Sequence, residues 1–180
     1  MKLLLEVLWF LLPMTAANMA PVFARHLLPT WDWPVDGGRE FREARIFGSH
    51  KTWRGIVFGI LAAALVSWLQ SMVHERWSLA REIGVLDYGM HPLVYGALLG
   101  AGALGGDLLK SFAKRRVGVP PGKSWIPFDQ VDWMIGGLAV AALLTKLEIV
   151  FAGVALLVAL GGTLLVRYVG YLIRLNDEPI

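Results

Sequence analysis

Gly55-Ile56-Val57-Phe58-Gly59-Ile60-Leu61-Ala62-Ala63-Ala64-Leu65-Val66-Ser67-Trp68-Leu69-Gln70-Ser71-Met72-Val73 is a run of 19 residues without a charge. As a helix rising 1.5 Å per residue it spans roughly 28 Å, close to the ~30 Å thickness of a bilayer's hydrocarbon core. Four more uncharged runs accompany it: Val7 to Ala24, Pro92 to Gly106, Trp133 to Thr145 and Ile149 to Val166. The whole chain is 56% hydrophobic and 17% charged, with mean hydropathy +0.57, which is a membrane composition rather than a soluble one. The expected fold is therefore all-α, one polytopic domain over residues 1–180. Its five transmembrane helices fall at about 3–23, 53–73, 92–113, 129–147 and 149–171.

Basic residues collect in cytoplasmic loops, so their positions thread the spans. With five spans, thirteen Lys and Arg fall on one side and four (Lys2, Arg76, Arg81, Lys146) on the other. That puts the N-terminus outside, the C-terminus inside and cytoplasmic loops at about 24–52 and 114–128. Ala17-Asn18-Met19-Ala20 has the small residues of a signal-peptide cleavage region, but Lys2 is offset by Glu6 and the dense positive charge follows the apolar run. The first span therefore reads as a retained helix, with Pro13 and Pro21 expected to kink or end it. The chain has no cysteine, which excludes disulfide and thiolate chemistry. The four histidines show no metal-site spacing, and the eight tryptophans suit interfacial anchoring. Gly96, Gly100, Gly102 and Gly106 have the spacing of close helix packing, and the outer segment 74–91 reads as a solvated connector.

Chemistry concentrates at the inner ends of the spans. On a helix, Asp107, Lys110, Ser111 and Lys114 share one face, being three, four and seven residues apart. Asp129 and Asp132 lie one turn apart where the next span begins. Ionisable groups at a membrane span's edge are costly and usually face a wet cavity or the protein interior. If the two helices are neighbours, Asp107, Asp129 and Asp132 offer hard oxygen ligands suited to Mg²⁺. Asp129 alone could instead be an N-cap. Arg115 and Arg116 also serve as positive-inside charges. A second cluster, Phe47-Gly48-Ser49-His50-Lys51-Thr52-Trp53-Arg54-Gly55, has the small-residue turn and Lys-Thr of a phosphate cradle built on backbone amides at a helix N-terminus. It lacks Walker A spacing, and a basic loop against anionic headgroups explains it too. Asn18 is a polar residue within the first span.

Four motifs, Leu12-Pro13 through Ala17-Asn18-Met19-Ala20-Pro21-Val22, Arg45-Ile46-Phe47-Gly48 through Lys51-Thr52-Trp53-Arg54-Gly55, Gly106-Asp107-Leu108-Leu109-Lys110-Ser111-Phe112 through Lys114-Arg115-Arg116, and Asp129-Gln130-Val131-Asp132, together resemble the CDP-archaeol synthase family. The resemblance spans nearly the whole chain. It implies an Mg²⁺-dependent cytidylyltransferase of the cell membrane that joins CTP to an ether-lipid phosphate acceptor, 2,3-bis-O-geranylgeranylglycerol 1-phosphate. The products would be unsaturated CDP-archaeol and pyrophosphate, made at a site facing the cytoplasm. No nucleic-acid partner is implied.

Carried over to this sequence, the resemblance makes Asp107 and Asp129 metal-holding acids and Asp132 the second acid of Asp-x-x-Asp. Lys110, Ser111, Lys114 and Arg115 match the Ser-x-x-Lys-Arg part of the wider cytidylyltransferase signature. Asp107, Asp129 and Lys110 are thus the expected catalytic set, with Asn18, Lys51, Thr52, Arg54, Ser111, Lys114, Arg115 and Asp132 contacting substrate. Two positions depart from the pattern: His50 precedes Lys51-Thr52 where glycine is expected, and Gln130 follows Asp129 where bacterial relatives carry arginine. The reading from another class is a small ion or solute transporter that uses Asp107 and Asp129 as ligands inside the bundle.

Overall fold

A computed structural model describes residues 1–85, 91–120 and 123–172. The chain forms helix α1 (Lys2–Leu27), a small hairpin of β1 (Glu40–Phe41) and β2 (Ala44–Arg45), then α2 (Trp53–Arg76), α3 (Ser78–Ile83), α4 (Pro92–Arg116), α5 (Phe128–Leu144) and α6 (Ile149–Leu172). Four of these helices are long and apolar enough to cross a membrane: α1, α2, α4 and residues 149–166 of α6. The remaining long helix, α5, has 17 residues. Residues 86–90 of the outer connector, residues 121–122 of the second inner loop and residues 173–180 lie outside the described residues.

The side-chain pattern is that of a bundle in lipid. On α2 the buried face carries Gly55, Gly59, Ala63, Ala64 and Ser67, whereas Leu61, Leu65, Trp68 and Leu69 are exposed. Small residues face neighbouring helices because lipid gives apolar side chains no reason to hide, so close backbone approach holds the helices together. On α1, Val7, Phe10, Leu11, Met14 and Ala17 repeat at helical spacing toward the core, and Leu4, Leu8 and Leu12 point outward. Gln70 Nε2 donates to the Trp9 carbonyl at 2.7 Å, tying α2 to α1, and Phe10 meets Phe151 of α6 edge-on at 5.2 Å.

The central helix α4 packs between α2 and α5 and also touches α1. Gly96 and Gly100 lie against α2, and Gly102 and Gly106 against α5, so the glycines expected to pack do so on two different flanks. A Cβ at Gly96 would sit 2.5 Å from the Ala63 carbonyl oxygen. At Gly106 and Gly136 the backbones of α4 and α5 touch, with no room for a side chain on either.

Two expectations about local structure change, and the first inner loop has structure of its own. Helix α1 continues through both Pro13 and Pro21 to Leu27 rather than ending at either. The outer connector contains α3, whose Ala80 and Ile83 are buried, so part of it packs on the bundle instead of lying in solvent. The first inner loop holds the β1–β2 hairpin, paired Glu40 to Arg45 and Phe41 to Ala44.

Candidate functional site

The Gly106–Gly136 crossing decides where the acids go. It places the start of the last three turns of α4 directly beside the first turns of α5, so that Asp107 of one helix and Asp129 and Asp132 of the other gather around Lys110. The face spacing of Asp107, Lys110, Ser111 and Lys114 then turns all four toward α5 and the inner loop. Lys110 Nζ lies 2.8 Å from Asp129 Oδ1, 3.0 Å from Asp132 Oδ2 and 3.4 Å from Asp107 Oδ1. One ammonium therefore faces all three carboxylates. Lys114 Nζ takes the other oxygen of Asp129 at 2.7 Å, and Lys51 Nζ takes both oxygens of Asp107 at 2.7 and 2.5 Å. The Trp125 amide also donates to Asp129, at 2.5 Å. Asp129 thus receives a backbone amide from the residue four before it.

Three carboxylates and three ammonium groups alternate here, most of them poorly exposed. Buried charges are tolerable only when paired in this way. The pairing is incomplete in one respect. Asp129 Oδ1 and Asp132 Oδ2 are buried and make no well-directed hydrogen bond, leaving the Lys110 ammonium as their close counter-charge. Among the described residues, no three His, Asp or Glu side chains are arranged to hold a metal ion as they stand. The acid trio has a lysine at its centre.

Lys51 reaches Asp107 from 56 residues away in sequence because the inner loop is folded back on itself. Val35 N donates to the Lys51 carbonyl at 2.8 Å and Trp53 N to the Trp33 carbonyl at 2.9 Å, with Pro34 bridged to Thr52. Asp36, whose side chain is fully buried, organises the rest. It accepts from the amides of Gly38 (3.0 Å), Phe47 (3.2 Å) and Gly48 (3.1 Å) and from Arg45 Nη2 (2.7 Å). Burial pushes its carboxyl up, but the amides and Arg45 outweigh that and hold it below the usual carboxylate range. Gly48 adopts φ 105°, a conformation open to glycine and strained for other residues. Arg116 clamps the hairpin from α4, donating to the carbonyls of Phe41, Ala44 (3.0 Å) and Arg45 (2.8 Å) while lying over the rings of Phe41 and Phe112.

Around this network lie three cavities. A cleft of about 470 Å³, within the roughly 300–1,000 Å³ of small-molecule sites, is lined by Arg45, Lys51, Lys110, Ser111, Lys114 and Arg115, and among the described residues no acidic side chain lies on its walls. A second, of about 190 Å³, brings Asn18 of α1 together with Thr52, Lys51 and Asp107. The third, about 230 Å³ and almost entirely apolar, is a groove between α4 and α5 walled by Leu109, Phe128 and Ile135, with Lys110 and Asp132 at its polar edge. Leu109, Phe128 and Ile135 are exposed on the flank of the bundle.

Ten of the eleven residues expected in the site border this network or its cavities: Asn18, Lys51, Thr52, Asp107, Lys110, Ser111, Lys114, Arg115, Asp129 and Asp132. Arg54 does not. Its guanidinium turns back to the Leu28 carbonyl (2.5 Å) and Asp32 (3.3 Å), closing the base of the loop. Position 54, the second residue of α2, is not on the wall of the cleft that Lys51 enters. The expected cradle of free amides also differs: Phe47 and Gly48 donate to Asp36, and Gly55 donates to the Thr52 hydroxyl that caps α2. Lysine and arginine side chains are left to face the cleft. Sequence reasoning missed Asp36 and Arg116 as organisers. The turn signal Asp36-Gly37-Gly38 was the available clue to the first.

Against known proteins, the family model described as CarS-like, CDP-archaeol synthase, matches residues 1–180. A CDP-archaeol synthase of Pyrobaculum aerophilum is 33% identical over 168 residues, covering 93% of each chain. One from Thermococcus gammatolerans is 38% identical over 144 residues, covering 74% of this chain and 71% of its own. A solved structure described as an intramembrane enzyme for archaeal membrane lipids biosynthesis superposes with a TM-score of 0.70 at 28% identity, over 91% of both chains. With the match reaching from end to end and taking in every helix that builds the acid and lysine network, this chain belongs to the CDP-archaeol synthase family.

Proposed function

We propose that this membrane enzyme transfers CMP from CTP to 2,3-bis-O-geranylgeranylglycerol 1-phosphate, yielding unsaturated CDP-archaeol and pyrophosphate. The observation that carries the reading is the position of the charged network, between a basic cleft and an apolar groove open on the bundle's flank. A triphosphate suits the cleft, because Arg45, Lys51, Lys110, Lys114 and Arg115 can spread over its charge. A polyisoprenoid chain suits the groove, whose polar edge at Lys110 and Asp132 would bring the lipid phosphate to the same network. The small cavity at Asn18, Thr52 and Lys51 offers further donors to a phosphate.

The chemistry asks little of the protein beyond placement and charge. An ionised oxygen of the lipid phosphate attacks the α-phosphorus of CTP, a new P–O bond forms, and the bond to the β-phosphate oxygen breaks to release pyrophosphate. No general base is needed because the nucleophile is already an anion near neutral pH. The leaving pyrophosphate gains negative charge, which Lys51, Lys114 and Arg115 would stabilise.

Mg²⁺ is part of this proposal. Asp129 Oδ1 and Asp132 Oδ2 are hard donors, buried, without directed hydrogen bonds and facing a common positive charge, and Asp107 Oδ1 faces it too. Those three acids would hold the ion, which when bound would neutralise phosphate oxygens and polarise the α-phosphate. The site would face the cytoplasm with five spans, N-terminus outside, since the thirteen-to-four division of basic residues then puts the network on the positive side. Helix α5 would reach only about 26 Å, so its first turn would start within the headgroup boundary. The transport reading is not favoured, because the family is one of CDP-archaeol synthases and the acids are held at one end of the bundle by lysines.

Detergent-solubilised protein given ether-lipid phosphate and Mg²⁺ should move label into lipid from α-labelled CTP, and into pyrophosphate from γ-labelled CTP. Label in lipid from the γ position, or from neither, would overturn the reading.

A further inference from the structure

The proposed transfer leaves unexplained why Lys110 lies at the centre of the acids. Lys110 Nζ sits among three carboxylate oxygens, the place where a divalent ion held by the same acids would lie. Asp129 Oδ1 and Asp132 Oδ2 are buried and have the Lys110 ammonium, at 2.8 and 3.0 Å, as their close counter-charge. Lys110 also borders both the basic cleft and the apolar groove, so its flexible four-carbon stem has open space on two sides. Lys114 bonds the outer oxygen of Asp129 and leaves the one facing Lys110 to that lysine, whereas Lys51 bonds both oxygens of Asp107 and so holds that acid in place beside Lys110.

Resting on the proposed CTP and metal chemistry, we propose that Lys110 is an internal stand-in cation. It keeps the three carboxylates assembled while no metal is bound, and gives up its place to the divalent ion that arrives with CTP. The displaced ammonium then turns into the cleft and pairs with the nucleotide's phosphates. One lysine thereby serves two states. In the first it offsets the mutual repulsion of Asp107, Asp129 and Asp132, which would otherwise splay the α4–α5 contact. In the second it becomes part of the polyphosphate site, at the moment when the metal has taken over the acids. An ion entering alone must evict a lysine, and the eviction is offset only when triphosphate is present to receive it. Metal and nucleotide should therefore bind with positive coupling, each raising the other's affinity by the same factor.

Mn²⁺ affinity, read by electron paramagnetic resonance on the full chain in detergent, tests this without any turnover. Wild type should bind Mn²⁺ weakly alone and at least about 10-fold more tightly with CTP present. Lys110→Met should bind Mn²⁺ about 10-fold more tightly than wild type without nucleotide and should lose most of the CTP-dependent gain. Equal or weaker Mn²⁺ binding by the variant without nucleotide would overturn the proposal. A readout on wild type guards against a folding defect in the variant. Reductive methylation of Lys110, followed by mass spectrometry, should be slow in metal-free protein and several-fold faster in saturating Mn²⁺ without nucleotide. Unchanged labelling would count against displacement as firmly. If α-label reaches lipid but these results fail, the stand-in idea falls and the transferase reading stands. If the metal results hold while no labelled lipid forms, the reverse applies.

Discussion

In its first half, α4 meets its neighbours through Gly96, Leu99, Gly100 and Ala103. In its second half it does so through Asp107, Lys110, Ser111 and Lys114. The first set works by volume: two glycines admit the backbone of α2, and small buried residues fill what remains. The second set works by charge: long side chains cross to α5 and the inner loop and meet opposite charges there. The halves share one helix and are linked at Gly106, where close packing against Gly136 brings the acids of two helices together. Substitutions in the first half should therefore be felt as lost stability, and substitutions in the second as lost activity with the fold retained.

The largest effect expected is in the charged half. Replacing Asp107 and Asp132 together with asparagine keeps side-chain shape but removes two of the three carboxylates around Lys110. CMP transfer should fall by roughly 1,000-fold or more, with the protein still eluting as a folded species. Retained activity in that double variant would erase the distinction between the halves. Gly96→Leu probes the other side. Its side chain has to enter space held by the Ala63 carbonyl and Ser67, at a cost of about 1–3 kcal/mol in unfolding measurements. Activity per folded molecule should stay within about 3-fold of wild type, since an overpacking cost falls on the fold rather than on the chemistry.

A smaller effect is expected where the loop supplies Lys51. Asp36→Asn weakens four bonds that hold residues 36–48 in place, so KM for CTP should rise about 10-fold with a lesser change in kcat. The wild-type loop has a pH signature as well. The carboxyl of Asp36 is held below its ordinary value of 3.8, so its contribution is fully present above that value. It is lost as pH falls through the lowered pKa. Protection of the 47–51 segment from proteolysis should therefore persist at pH 5 and fail only in stronger acid. Failure above pH 5 would mean that another group anchors the loop. The smallest effect is reserved for Arg54→Lys, which shortens a tether to Leu28 and Asp32. It should cost about 1 kcal/mol of stability or less, and transfer should change by under about 3-fold.

What could be read in the sequence follows the same division. The apolar runs located the helices closely, Gly55 to Val73 becoming Trp53–Arg76 and Pro92 to Gly106 becoming Pro92–Arg116, because hydrocarbon thickness and backbone satisfaction leave few alternatives. The face shared by Asp107, Lys110, Ser111 and Lys114 followed from helical geometry alone. The Lys51–Asp107 pair and the Asp36 anchor could not be read this way, since both are set by where a loop returns in space and no periodicity encodes that. The direction of Arg54 was hidden for the same reason: nearness to Lys51 in sequence says nothing about which way a side chain turns one residue into a helix. The central position of Lys110 needed the Gly106–Gly136 crossing to be seen.

Asp129 joins the most elements of the account, since it bonds Lys114 and the Trp125 amide through one oxygen and faces Lys110 through the other. Its asparagine variant, compared with wild type at matched thermal unfolding temperature, gives the most direct test. The rate of α-labelled lipid formation from CTP should drop by about 100-fold or more while the unfolding temperature stays close to wild type. Equal rates in the two proteins would contradict the assignment of this network as the place where CMP is transferred.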